Sequence, residues 1–138
     1  MEIKPLGTKH GWSSVFRATS TNKNCCDYGD RIPGMYFQSG STRLYIGNAV
    51  NGNGNFHRTE KIALFKEIPL NKFTLVTIEQ VIEDGEYRYS IYFDHEELYS
   101  TINSKPRVFK HVNVYMGDSF YNPANAVIRN FNFENLEI

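Results

Sequence analysis

Residues 109–136 read FKHVNVYMGDSFYNPANAVIRNFNFENL. Apolar side chains alternate with polar ones on both sides of a central polar loop, and this period of two is typical of half-buried β-strands. The alternating positions are Val112, Val114 and Met116 before the loop and Ile128, Phe131, Phe133 and Leu136 after it. We therefore expect two strands that turn these faces to a core and hold a polar loop at the rim of a sheet.

The loop between these strands has the composition of a recognition site. Asp118, Tyr121, Asn122 and Asn125 fall close together in it. Asp118 can accept hydrogen bonds from sugar hydroxyls while the ring of Tyr121 or Phe120 stacks on the apolar face of the sugar. Alternatively, Asp118 binds calcium together with Asn122, or it only stabilises the turn. The loop holds no obvious base or nucleophile, which favours binding over catalysis.

The rest of the chain predicts an all-β fold. Six further strand-like runs lie at residues 12–18, 32–38, 43–50, 73–81, 87–94 and 97–102. Asp84-Gly85 between two of them indicates a tight hairpin, because this pair tolerates positive φ angles. Short strands spaced by roughly 8–12 residues predict a two-sheet antiparallel β-sandwich or jelly roll. We expect residues 1–138 to form one domain, with Trp12, the only tryptophan, in its core.

Composition excludes two classes of partner. Lys+Arg and Asp+Glu balance at 15 each and the charges are scattered, so no nucleic-acid partner is expected. The apolar runs are far shorter than the roughly 20 residues that span a bilayer, so no membrane insertion is expected. Residues 1–7 lack the apolar segment of a signal peptide. We therefore expect either a cytoplasmic protein or a module of a longer secreted protein.

The cysteines and histidines give no sign of a metal centre. Cys25 and Cys26 are the only cysteines and are adjacent, and neighbouring cysteines rarely pair because the ring is strained. Reduced thiols are therefore the expectation, with a vicinal or an intermolecular disulfide as the alternatives. The four histidines show none of the short spacings typical of a zinc site.

Two earlier loops contain further candidate ligands. Asp27 and Asp30 flank a glycine and are followed by Arg31; the two carboxylates could bind calcium, or Asp30 could pair with Arg31 or cap backbone amides. In Asn51-Gly-Asn53-Gly-Asn55 the carboxamides suit sugar hydroxyls, since each offers a donor and an acceptor. The alternative is a wide turn in which these Asn side chains satisfy their own backbone.

Several blocks of the sequence resemble the concanavalin A-like, laminin-G-like jelly-roll modules of invertebrate extracellular and cell-surface proteins. They are residues 12–16, the run CCDYGDRIPGMYF at 25–37, the run LYIGNAVNGNGN at 44–55, residues 69–74, and residues 112–136. The resemblance implies a β-sandwich outside the cell that binds glycans or other proteins, often with calcium. Related glucanases carry carboxylates on alternate residues of one strand, and this sequence has no such pattern.

These observations predict a non-enzymatic, lectin-like recognition module with a glycan or glycoprotein as its ligand, assisted by calcium. The expected ligand-binding residues are Asp30, Arg31, Asn51, Asn53, Asn55, Asp118, Tyr121 and Asn122, and the expected calcium ligands are Asp27, Asp30 and Asp118. The alternative is a cell-adhesion module that docks another cell-surface protein through exposed aromatic side chains. Because single sugar sites bind weakly, avidity would come from repetition in a longer chain or from an oligomer.

Overall fold

The computed structural model describes residues 1–56 and 66–134. These residues form strands and no helix, and so no helix among them could cross a membrane. The strands are β1 (Glu2–Pro5), β2 (Ser13–Thr19), β3 (Gly34–Phe37), β4 (Leu44–Val50), β5 (Asn53–Phe56), β6 (Thr74–Glu83), β7 (Glu86–Phe93), β8 (Glu96–Ile102), β9 (Asn113–Tyr115), β10 (Asn122–Pro123) and β11 (Ala126–Arg129).

The described strands form two sheets, and the predicted β-sandwich is confirmed. The first sheet has the order β11-β1-β6-β7-β8, and the second has the order β10-β2-β3-β4-β5 with β9 also on β2. All pairings are antiparallel except the short parallel contact of β10 with β2. One hydrophobic cluster takes side chains from both sheets, including Phe16 and Met35 from the second and Val76 and Ile91 from the first.

The β6–β7 hairpin confirms the turn predicted from Asp-Gly. Asp84 and Gly85 both have positive φ angles, 53° and 79°, as a two-residue hairpin turn requires. The register runs from Val76 opposite Phe93 to Glu83 opposite Glu86. β6 is exposed from Glu79 to the turn, whereas Ser90 and Tyr89, which stand opposite Glu79 and Gln80 on β7, are buried.

β9 and β10 lie one after the other along the same edge of β2. Tyr115 of β9 pairs with Arg17, whereas Asn122 of β10 pairs with Ser13. Between these contacts β2 has an irregular step from Ser14 to Phe16, where the Gly117 N–H donates to the Val15 carbonyl at 3.2 Å. The loop between β9 and β10 is therefore held against the middle of β2.

The alternation in residues 109–136 predicted the buried positions only in part. Val112 and Ile128 pack against the core, but Val114, Met116, Phe131 and Phe133 are exposed. Val114 lies in β9, a short exposed strand that pairs with β2, and Met116, Phe131 and Phe133 lie outside the strands altogether. Leu136 lies outside the described residues.

Three other expectations were wrong. Trp12 is 41% exposed because it precedes β2 and does not point into the core. Residues 53–55, expected in a loop, begin β5, and only Asn51 and Gly52 form the turn before it. Cys25 and Cys26 are joined by a vicinal disulfide across a cis peptide bond, so they are not reduced thiols.

Candidate functional site

The candidate site lies on the face of the second sheet that points away from the core, which we call the outer face. In β3, Met35 and Phe37 belong to the core, so strand geometry directs Gly34 and Tyr36 to the outer face. Tyr36 stands opposite Tyr45 of β4, and the two ring centroids are 6.3 Å apart. This tyrosine pair is the centre of the site.

Two facing glycines make room for Arg31 on the outer face. Gly34 of β3 and Gly47 of β4 are direct partners across the two strands. A Cβ at Gly34 would come within 3.0 Å of the Arg31 Cδ, and a Cβ at Gly47 would lie 2.7 Å from the Asn55 Oδ1. The missing side chains therefore let the Arg31 stem lie flat on the sheet, where the residue is almost completely buried.

The Arg31 guanidinium is held from three sides. Its Nε donates to the Asn24 carbonyl oxygen at 3.1 Å, and its Nη2 donates to the Asn24 Oδ1 at 3.2 Å. Its Nη1 donates to the Asn55 Oδ1 at 3.2 Å. The guanidinium also lies 4.8 Å from the centre of the Tyr36 ring, within the range of a cation–π contact. Arg31 is thus fixed in position before any ligand binds.

Asp118 connects the β9–β10 loop to Tyr36. The Tyr36 hydroxyl donates to the Asp118 Oδ2 at 3.0 Å. The Asp118 Oδ1 accepts from the backbone N–H groups of Phe120 and Tyr121, at 2.9 and 3.0 Å. Asp118 therefore stabilises its own turn, as the structural alternative expected, and this turn places the Tyr121 ring 5.2 Å from the Tyr36 ring.

The structure thus joins four of the expected ligand-binding residues around two tyrosines that the sequence did not point out. We call this group the Tyr36 cluster; it consists of Arg31, Tyr36, Tyr45, Asn55, Asp118 and Tyr121. The Tyr45 hydroxyl donates to the Asn55 Oδ1 at 3.0 Å and closes the group. Tyr36 itself is 2% exposed, whereas Tyr45 and Tyr121 are half-buried and partly accessible.

Trp12 extends the cluster with an exposed ring. It packs edge-on against Tyr45, with the two ring centroids 5.5 Å apart and the planes at 79°. Its exposed surface is therefore next to the half-buried rings of the Tyr36 cluster. A solvent-accessible indole beside fixed donors and acceptors can bind an amphipathic ligand.

The expected calcium ligands lie in different environments. Asp30 is buried: its Oδ2 accepts the Asp27 N–H at 3.0 Å, and its Oδ1 accepts the Thr21 hydroxyl. Asp27 is exposed and pairs with Lys23 at 3.1 Å. Among the described residues, Asp, Glu, His and Cys side chains form no group of three that could hold a metal ion. The calcium site therefore stays a prediction.

The other expected ligand-binding residues are outside the Tyr36 cluster. The Asn51 Oδ1 accepts the Ser104 N–H at 2.7 Å, and the Asn53 Oδ1 accepts the Asn55 N–H at 3.0 Å. Asn53 therefore stabilises the backbone of its own segment, as the alternative interpretation expected, whereas Asn51 binds the distant backbone of Ser104. Asn122 is exposed in β10, where it pairs with Ser13 of β2.

Three buried or half-buried tyrosines, Tyr36, Tyr45 and Tyr89, make the stability of the fold depend on pH under alkaline conditions. Burial raises the pKa of Tyr36 above its ordinary value, and so does the Asp118 carboxylate, while Arg31 acts in the opposite direction. Burial also raises the pKa of Tyr45 and Tyr89. The fold thus favours the neutral phenols, so their contribution to stability is complete below about pH 10 and is lost as the pH rises further.

We therefore expect the free energy of unfolding, measured in urea, to fall steeply above about pH 10, where only the unfolded chain ionises freely. Tyrosinate absorbance should show a fraction of the nine tyrosines that ionises only as the protein unfolds. Ionisation of all of them at an ordinary pKa in a folded protein would contradict the buried positions of Tyr36 and Tyr89.

No described protein family, curated protein sequence or solved structure matches this chain. The resemblance to concanavalin A-like modules accordingly stays a prediction. The β-sandwich and the geometry of the Tyr36 cluster are the observations from which a function can be argued.

Proposed function

We propose that this protein is a non-enzymatic, lectin-like recognition module that binds carbohydrate on the outer face of the second sheet, at the Tyr36 cluster and Trp12. The observation that carries the proposal is the exposed Trp12 ring in contact with a fixed set of polar groups. Sugars have apolar C–H faces and polar edges, so a site for them needs rings and hydrogen-bonding groups side by side.

The arrangement suggests a distinct role for each type of side chain. The rings of Trp12 and Tyr121 would stack on the sugar, since both have accessible surface. The carboxylate of Asp118 and the guanidinium of Arg31 would form hydrogen bonds with hydroxyl groups. Both are already fixed by protein contacts, which lowers the entropy cost of binding.

Three further parts of the proposal are expectations from the sequence: a bound calcium ion, an extracellular location, and an oligomer or a chain of repeated modules. Calcium would act at the loop of Asp27 and Asp30 or at Asp118, an extracellular location would supply glycans, and an oligomer or repeated modules would raise avidity. Arg17 links two of these loops: its Nε donates to the Asp30 carbonyl at 3.2 Å, and its guanidinium lies 5.0 Å from the Phe120 ring centre. An ion bound at either loop would therefore act close to the glycan site.

The second candidate function is adhesion to another protein. It is favoured by the exposed end of β6, where Val81 and Ile82 are 40% and 45% exposed. The tyrosines of β7 supply less accessible surface than an adhesion patch needs, since Tyr89 is 4% exposed and Tyr87 is half-buried. The glycan proposal rests on a larger set of organised side chains.

Trp12→Ala and Tyr121→Ala are expected to weaken binding on a glycan array by about tenfold or more. The loss of a buried aromatic contact costs roughly 1.5 kcal/mol or more, and about 1.4 kcal/mol corresponds to a factor of ten. Tyr87→Ala is the matched control, because it removes a half-buried tyrosine from the first sheet.

The array separates the two candidate functions. Selective glycan signals that both outer-face variants lose and Tyr87→Ala retains would support the proposal. Signals that the three variants reduce equally would place the binding site elsewhere, and a blank array for the folded wild type would favour the adhesion alternative.

A further inference from the structure

A cavity of about 420 Å³ opens next to the Tyr36 cluster. Its lining includes Arg17, Asn22, Tyr115, Asp118 and Phe120. The volume lies in the lower part of the range of roughly 300–1,000 Å³ that is usual for small-molecule sites. Because Asp118 belongs to both the lining and the Tyr36 cluster, the cavity continues the proposed glycan site.

Arg17 is a buried cation without a charged partner. It is 2% exposed, and it forms no ion pair within residues 1–56 and 66–134. Its hydrogen bonds go to neutral oxygens, from Nε to the Asp30 carbonyl at 3.2 Å and from Nη2 to the Thr19 hydroxyl at 3.5 Å. A guanidinium does not lose its proton in proteins, and a buried charge is costly unless a counter-charge is present.

Asp118 is the acidic residue in the cavity lining, and its oxygens are already engaged. They accept the Tyr36 hydroxyl and the N–H groups of Phe120 and Tyr121. Its charge opposes an added anion, so the cavity suits a single negative charge better than a polyanion. Among the described residues, the Asp118 carboxylate forms no ion pair with the Arg17 guanidinium.

Asn22 supplies a second donor at the cavity. Its Oδ1 accepts from the Asn113 Nδ2 at 3.2 Å and from the Tyr115 hydroxyl at 3.1 Å. These two contacts orient the carboxamide so that its Nδ2 remains a donor. Arg17 and Asn22 together provide a charged and a neutral donor in one cavity, a combination that matches a carboxylate or a sulfate ester.

We propose that this cavity binds the acidic group of a sugar, either a carboxylate or a sulfate ester, while the rest of the glycan lies on the Tyr36 cluster. This inference rests on the proposed carbohydrate-binding function and specifies its ligand as an acidic glycan. Arg17 would donate two hydrogen bonds to the anion, and Asn22 would donate a third.

The test is a glycan array that carries uronic-acid and sulfated glycans beside their neutral parent glycans. Wild-type protein should bind at least one acidic class about tenfold more strongly than its neutral parent, since hydrogen bonds to charged groups are the strong ones. Comparison of the two acidic classes shows whether the carboxylate or the sulfate ester is the natural group.

Two variants connect this preference with the cavity. Arg17→Gln removes the buried cation and should abolish the preference for acidic glycans. Asn22→Asp should also abolish the preference, because it places a negative charge at the cavity. Asn22 is exposed and has a φ of 64°, which Asp also tolerates, so this variant should still fold. Asn71→Asp is the control for the added charge, as Asn71 is also exposed, has a φ of 57° and does not line the cavity.

The acidic preferences of the wild type and the variants distinguish failure of this inference from failure of the proposed function. Loss of the acidic preference in Asn22→Asp but not in Asn71→Asp supports the inference, even where Arg17→Gln does not fold. Equal binding of acidic and neutral glycans by the wild type overturns the inference and leaves the proposed function intact. Binding of no glycan at all by the folded protein overturns both.

Discussion

Phe16→Ala is expected to lower the free energy of unfolding by about 3–5 kcal/mol. Phe16 is 1% exposed in β2 and belongs to the core cluster shared by the two sheets. Its ring centroid lies 5.2 Å from that of Phe131, so the truncation would remove this contact as well as packing in the core cluster. The free energy of unfolding of a domain of this size is roughly 5–15 kcal/mol, so this single change would remove a large part of it.

Urea denaturation of the wild type and the variant measures this effect, provided that the m-value is unchanged. Phe133→Ala is the control, since it removes the same side chain at a position that is 39% exposed, and it should cost less than about 1 kcal/mol. Equal losses in the two variants would show that Phe16 does not lie in the core.

Gly54→Ala is expected to destabilise the protein by about 1–3 kcal/mol and to weaken glycan binding as well. A Cβ at this position would collide with the Cys26 carbonyl oxygen and lie 2.5 Å from the Asp27 carbonyl carbon. Both atoms are backbone, so they cannot rotate away. Asn55 follows Gly54 in β5, and the loop that contains Cys26 and Asp27 leads to Arg31. If the added Cβ pushed β5 away from this loop, the hydrogen bond of 3.2 Å between Arg31 and Asn55 would be disturbed.

Gly7→Ala is the control for Gly54→Ala. The nearest atom to its added Cβ is the Asn125 Nδ2 at 3.1 Å, the end of a side chain that can move. Urea denaturation should therefore show a much smaller loss for Gly7→Ala. A Gly54→Ala protein as stable as Gly7→Ala would contradict the close approach of β5 to the Cys26–Asp27 backbone.

Much of the fold is predictable from local patterns, because alternation and turn residues report on strands that bury one face. The β6–β7 hairpin follows from such a pattern, and its Asp84-Gly85 turn was correctly predicted. β5 was missed because Asn and Gly are typical of turns and do not indicate a strand. The exposure of Val114 and Met116 reflects the shortness of β9 and its place beside β2, which are not local properties of the sequence.

The site is predictable only in part for a related reason. Arg31, Asn55, Asp118 and Tyr121 were expected to bind ligand, but the tyrosines that join them, Tyr36 and Tyr45, were not. All four residues of β3 are buried, so the strand lacks the contrast between apolar and polar positions that would reveal its outer face. Gly34 is a usable signal in retrospect, because its pairing with Gly47 explains how Arg31 lies on the sheet.

The most direct measurement of the central claim is a fluorescence titration of Trp12 with glycans that the wild type binds on the array. Trp12 is the only tryptophan, and it lies against Tyr45 at the proposed site, so its emission reports on that place alone. The titrations are made with calcium and again with EDTA, which tests the calcium expectation at the same time.

We predict a saturable change in Trp12 emission whose midpoint matches the dissociation constant obtained by calorimetry and moves to higher concentration in Tyr121→Ala. A glycan that binds by calorimetry, leaves Trp12 emission unchanged and binds Tyr121→Ala as tightly as the wild type would contradict recognition on the outer face.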